Sequence, residues 1–211
     1  MASSILIRLG GVAAMVGGVT TATMGALTAL VVEYEIPGSV GRTIQKGSYE
    51  FPVLNVLLVG ALAAIVALHG LQRLRYGLRG TLAALTASVG LMLLPVGWFV
   101  AVAWLEAGPS FIPAVLTAVL VVSVLAASVG IVGLGIVTMS AGVLPRWCGA
   151  ALIAGSPPIV GLEFAFMGFL GLPATVPGAI VWALVGVPWV VVGYAIFRTA
   201  ARRTEHAARV R

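Results

Sequence analysis

Residues 149–172 read GAALIAGSPPIVGLEFAFMGFLGL, an apolar run that holds one charged side chain, Glu163, and one interruption, Ser156-Pro157-Pro158. A helix needs roughly 20 apolar residues to cross about 30 Å of hydrocarbon, so a run of this length and character predicts a transmembrane span. The two prolines lack the amide hydrogen that helix bonding requires, which predicts a break in that span. A carboxyl beside a broken span is the pattern of a substrate or proton site inside a membrane protein. No second catalytic group accompanies it in the sequence.

The rest of the chain agrees with this reading. It has 211 residues, 61% of them hydrophobic and 9% charged, and a mean hydropathy of +1.15. Soluble domains carry about a quarter charged residues. The apolar runs are continuous rather than alternating, which selects helices over a closed barrel. The expected fold is therefore all-α: a polytopic membrane protein with six helices in one bundle, a single domain over 1–211. The spans are placed at 9–32, 53–71, 81–104, 112–139, 149–170 and 176–197, followed by a short basic cytoplasmic tail at 198–211.

The first run exceeds the 7–15 apolar residues typical of a secretion signal, so it is expected to stay attached as a span. Residues 33–52, with Pro37-Gly38, Gly41 and Gly47, read as a loop. Pro95-Val96-Gly97-Trp98 predicts a kink in the third span, and Leu144-Pro145-Arg146-Trp147 an interfacial turn. Gly11, Gly18 and Gly25 recur every seven residues, and Ala126, Gly130 and Gly133 offer a second small-residue face. Such faces let neighbouring backbones approach closely, and a glycine-lined pore is the alternative.

Basic residues set the orientation. One side collects Arg8, Arg73, Arg75, Arg79, Arg146, Arg198, Arg202, Arg203, Arg209 and Arg211, and the other only Arg42 and Lys46, with Glu33, Glu35, Glu50 and Glu106. Both termini are thus expected in the cytoplasm and the protein in the cytoplasmic membrane. The net charge of +6 follows the span ends rather than a folded basic face, which argues against a nucleic-acid partner.

Aspartate is absent and no lysine lies in a span, which excludes aspartyl intramembrane proteolysis and a retinal Schiff base. His69, His206 and the lone Cys148 are too few and too scattered for a metal or haem site. No phosphate loop or nucleophile elbow occurs. No cofactor, metal or enzymatic activity is expected.

The candidate substrate or proton site is Glu163 with Ser156, Pro157 and Pro158, and with Trp98 at a similar depth. Counting about 1.5 Å per residue from Gly149 puts Glu163 roughly 20 Å into the span. It reads either as a protonatable group in a cavity or as a neutral carboxyl bonded to a hydroxyl or a freed carbonyl. Pro188 falls at a similar depth in the sixth span.

The runs from Leu68-His69-Gly70-Leu71-Gln72 to Gly77-Leu78-Arg79-Gly80, Leu144-Pro145-Arg146-Trp147, and Gly193-Tyr194-Ala195-Ile196-Phe197-Arg198 resemble those of uncharacterised prokaryotic six-span integral membrane proteins. That resemblance bears on the fold and transfers no activity or site residue. The expected function is a non-enzymatic packing, assembly or accessory protein, with the lipid bilayer as environment. Its partner would be itself or another membrane protein, met through small-residue helix faces. The alternative is a small proton-linked permease or channel using Glu163.

Overall fold

In lipid every backbone polar group must be satisfied within the chain, and helices do this locally. The computed structural model describes residues 4–31, 41–106, 113–155 and 175–209, with side chains over 4–23, 55–97, 113–155 and 183–203 and at 99, 100, 103 and 104. All the described elements are helical: α1 (Ser4–Val31), α2 (Gly41–Glu106), α3 (Ala114–Ala141), α4 (Arg146–Ala154) and α5 (Thr175–Arg209). Four segments are long and apolar enough to cross a membrane: Ser4–Thr23, Asn55–Gly97, Ala114–Ala141 and Ala183–Arg203. Their outer surface is apolar too, with Val66 70% and Val129 67% exposed. That is the build of an integral membrane protein.

Several boundaries differ from expectation. Helix α2 already begins at Gly41, so the expected loop at 33–52 is helical over its last twelve residues. Helix α4 starts at Arg146, inside the expected turn, because Pro145 at the cap has the fixed φ of −54° that suits a helix start. Helix α5 continues to Arg209, so the described part of the expected basic tail extends the last helix. The expected spans at 53–71 and 81–104 both belong to α2, and the connection between them shrinks to one residue. Pro95, where a kink was expected, keeps helical backbone angles.

That residue is Gly77, at φ 58° and ψ −143°, a conformation open essentially to glycine alone. At 1.5 Å per residue the 66 residues of α2 would span about 99 Å as one rod, over three times the hydrocarbon thickness. The packing register shows that it is not one rod. Gly97 seats against Leu120, Gly90 against Ala127 and Gly130 against Ala87, so the second half of α2 runs antiparallel to α3. A straight continuation would carry Gln72 roughly seven residues, about 10 Å, past Thr138. Instead Thr138 Oγ1 donates to Gln72 Oε1 at 3.3 Å, so the chain bends back at Gly77.

Glycines set the helix contacts. A methyl on Gly10 would lie 2.7 Å from the Ala63 carbonyl oxygen, and one on Gly60 2.5 Å from that of Ala13, which joins α1 to the first half of α2. On the adjacent face Gly11 meets Gly193 and Gly18 meets Gly186, joining α1 to α5 antiparallel with the same seven-residue spacing on both helices. Gly135 and Gly149 bring α3 against α4, and Gly155 brings α4 against Pro188 of α5. The elements thus touch in a closed circuit, α5 to α1 to α2 to α3 to α4 and back to α5. Ile65, Leu68, Ile131, Leu134, Val192 and Ile196 fill the core.

Candidate functional site

A polar group inside an apolar core needs a partner, and most of those described find one on their own helix. Thr21, Ser123 and Ser128 donate to the carbonyls four residues back, Gly17, Val119 and Val124, at 2.8, 2.7 and 2.6 Å. These bonds satisfy the hydroxyls without reaching another helix.

Three side chains do more. His69, Gln72 and Tyr76 are spaced three and four apart, which places them on one face of α2 just before Gly77. His69 Nδ1 and the Tyr76 hydroxyl share a hydrogen bond of 2.9 Å whose direction follows the imidazole tautomer. Their ring centroids lie 5.9 Å apart. Gln72 is fully buried, receives the Thr138 hydroxyl, and presents Nε2 with no partner among the described residues. Gln72 thus ties the end of the first half of α2 to α3.

The sequence-predicted site is only bordered by the described structure. Glu163, Ser156, Pro157 and Pro158 lie outside the described residues; Trp98 belongs to α2, but its side chain lies outside them. Helix α4 ends at Ala154, and the Gly155 amide donates to the Ala151 carbonyl at 2.8 Å, immediately before Ser156. A methyl on Gly155 would stand 2.6 Å from Pro188 Cβ. Pro188 sits inside α5 and has no amide hydrogen, so the Leu184 carbonyl one turn earlier lacks its intrahelical donor. Pro188 thus packs against Gly155, while the expected break at Pro157 and Pro158 lies outside the described residues.

Gln72 and Thr138 were missed by sequence reasoning, although their signal existed: Gln72 continues the face begun by His69 and completed by Tyr76. Its arginine neighbours made it look like part of a solvated connection. Gly11 and Gly18 share one face, as the seven-residue pattern predicts, but α1 has a second glycine face. Gly10 and Gly17 serve α2, and Gly11 and Gly18 serve α5. Gly11 and Gly18 rest on backbone rather than line a pore. On α3, Gly130 and Gly133 form the expected face with α2, with Ala127 rather than Ala126 as its third member.

An open apolar groove of about 560 Å³ runs between α1 and α2, lined by Leu9, Val12, Val16, Val56, Val59 and Asn55 among others. Among the described residues no three His, Cys, Asp or Glu side chains come together. Comparisons with protein-family models, with curated proteins and with solved structures found no match to this chain.

Proposed function

We propose that the chain is a six-span protein of the cytoplasmic membrane with both termini inside, acting as a non-enzymatic packing, assembly or accessory protein. Six spans follow if Asn55–Gly97 is divided at Gly77 and if the segment begun by α4 crosses through residues 156–174. The observation that carries the role is the glycine seam on both faces of α1, backbone against backbone with α2 and α5. Without a hydrophobic force between helices in lipid, van der Waals packing of this kind is what holds a bundle together. It gives a rigid body whose outer faces are free to meet another membrane protein or a second copy.

The test is a photo-crosslinking residue at Val115 or Val129, which are 75% and 67% exposed on α3. Crosslinks to a membrane protein or to a second copy are expected, and adducts to lipid alone would count against the role. The permease reading is favoured by the junction of Gly155 with Pro188 just before Ser156. It requires proton flux in proteoliposomes that Glu163→Gln abolishes while the protein still melts like the parent. That result would replace the accessory role. Cysteines at Ser39 and Ser110 should react with an impermeant thiol reagent in intact cells while one at Ala207 stays protected; the opposite pattern would reverse the orientation.

A further inference from the structure

The bend at Gly77 carries a surface that the bundle does not use. Leu74 is 90% exposed and Leu78 73% exposed, and they bracket the bend. Arg73, Arg75 and Arg79 alternate with them and are exposed as well. The register brings other basic groups to the same end of the molecule. Gly10 lies beside Ala67 and Gly11 beside Phe197, so the C-terminal part of α5, with exposed Arg198, Arg202 and Arg203, ends near the bend. Thr138 reaches Gln72, so the end of α3 and the start of α4, with exposed Arg146, lie there too. Among the described side chains there is no carboxylate at all. The described side chains therefore offer these guanidinium groups no counter-charge.

We propose that the Gly77 bend is a docking element for anionic phospholipid. Leu74 and Leu78 sink to the boundary between headgroups and acyl chains, and Arg73, Arg75 and Arg79 hold the lipid phosphates. The alternation of long apolar and guanidinium side chains fits that boundary, where apolar stems and charged heads separate by depth. Charge decides the lipid class, because a zwitterionic headgroup brings no net counter-charge. The bend itself supports the role: a one-residue turn keeps all five side chains within a short arc instead of dispersing them over a loop. This proposal rests on the membrane reading of the preceding subsection.

The experiment measures binding of fluorescent phosphatidylglycerol and phosphatidylcholine to the full chain in a neutral detergent. The parent should prefer phosphatidylglycerol. The triple variant Arg73→Gln, Arg75→Gln, Arg79→Gln should lose roughly a hundredfold in that affinity. The same substitutions at Arg198, Arg202 and Arg203 remove equal charge and should cost far less. Arg→Lys at the three bend positions should retain most of the preference, and unaltered melting keeps misfolding out of the comparison. Leu74→Ser with Leu78→Ser should weaken both lipids. Equal losses from the two arginine triples, or parent affinity in the bend triple, would overturn the proposal. A crosslink from Leu74→Cys to a soluble protein, with lipid affinity unchanged in the bend triple, would overturn it in favour of protein docking. Resistance to carbonate extraction tests the membrane reading separately, so a membrane-embedded protein without lipid preference would sink this proposal alone.

Discussion

Replacing Gly77 by alanine separates backbone strain from packing. Nothing lies within 4 Å of the position a Cβ would take, so the variant meets no obstacle from neighbouring atoms. What it meets is φ 58° with ψ −143°, a region that L-residues avoid because of clashes within their own peptide units. The strain of such a conformation is about 1–3 kcal/mol. Gly142 supplies an internal standard: its φ is 64° and its ψ 15°, and again nothing lies within 4 Å. That is the left-handed helical region, which alanine reaches at about 1–2 kcal/mol. Gly77→Ala should therefore cost more than Gly142→Ala. For a chain of this size each kcal/mol moves the melting midpoint by about 2–4 °C, so at the upper end of that range Gly77→Ala should melt roughly 6–12 °C below the parent. The assay is thermal unfolding of detergent-solubilised protein followed by circular dichroism. A Gly77→Ala protein that melts within about a degree of the parent, or above Gly142→Ala, would refute the reasoning, since an alanine could then occupy the bend and the strain assigned to it would not exist.

The seams, the clamp and the core each support a further prediction. Gly186→Ala puts a methyl against the Gly18 carbonyl and the Ala22 amide and should lower stability by about 1–3 kcal/mol. Gly133→Ala meets only Ala83 Cβ at 3.2 Å and should cost less in the same melting assay. Thr138→Val removes the one hydrogen bond found for buried Gln72 and should cost about 1–3 kcal/mol. Adding Gln72→Leu should recover part of that loss, so additive costs in a double-mutant cycle would deny the coupling. Cys148 is 0% exposed and should resist maleimide until the protein is denatured, whereas Leu74→Cys should label at once. Mass spectrometry counts the adducts, and rapid labelling of the parent would contradict the burial.

The long apolar helices were legible in the sequence because lipid demands long apolar runs; their facing was not. Val129 is 67% exposed and Ile131 1%, and Leu125 is 57% exposed and Leu134 0%, all on α3. The same residue types face lipid and core, so hydrophobic periodicity carries little orientation. Small and polar residues carry it instead. Gly11 and Gly18 were read correctly as a contact face, but Gly10 and Gly17 gained meaning only once α1 was seen to have two neighbours. Gly41 and Gly47 read as loop formers because propensity counts them as breakers, yet both lie within α2. The Gly77 bend was legible as a connection and illegible as a one-residue turn, since the sequence does not say that φ there is positive. Glu163 stood out as a candidate because it is the lone charge in an apolar run, and it lies outside the described residues. Gln72 escaped because its neutral amide stood among arginines.

The glycine seams also constrain where chemistry at Glu163 could take place. At the glycine contacts of α1 with α2 and α5, and of α2 with α3, a single added methyl would collide with a backbone atom, which leaves no space for water or substrate at those contacts. The circuit closes differently between α4 and α5. There the contact is Gly155 against the ring of Pro188, α4 has just ended, and the Leu184 carbonyl has lost its intrahelical donor. A freed carbonyl is what a neutral carboxyl needs as an acceptor and what a bound water or cation needs as a ligand. Pro188→Ala tests whether either reading of Glu163 draws on that carbonyl. Restoring the amide re-bonds Leu184. If the carboxyl is structural and uses that carbonyl, this removes its partner and lowers the melting point. If it serves flux through a cavity held open by the break, stability should hold or rise while flux falls. A variant that changes neither property would place the partner of Glu163 elsewhere than the Leu184 carbonyl.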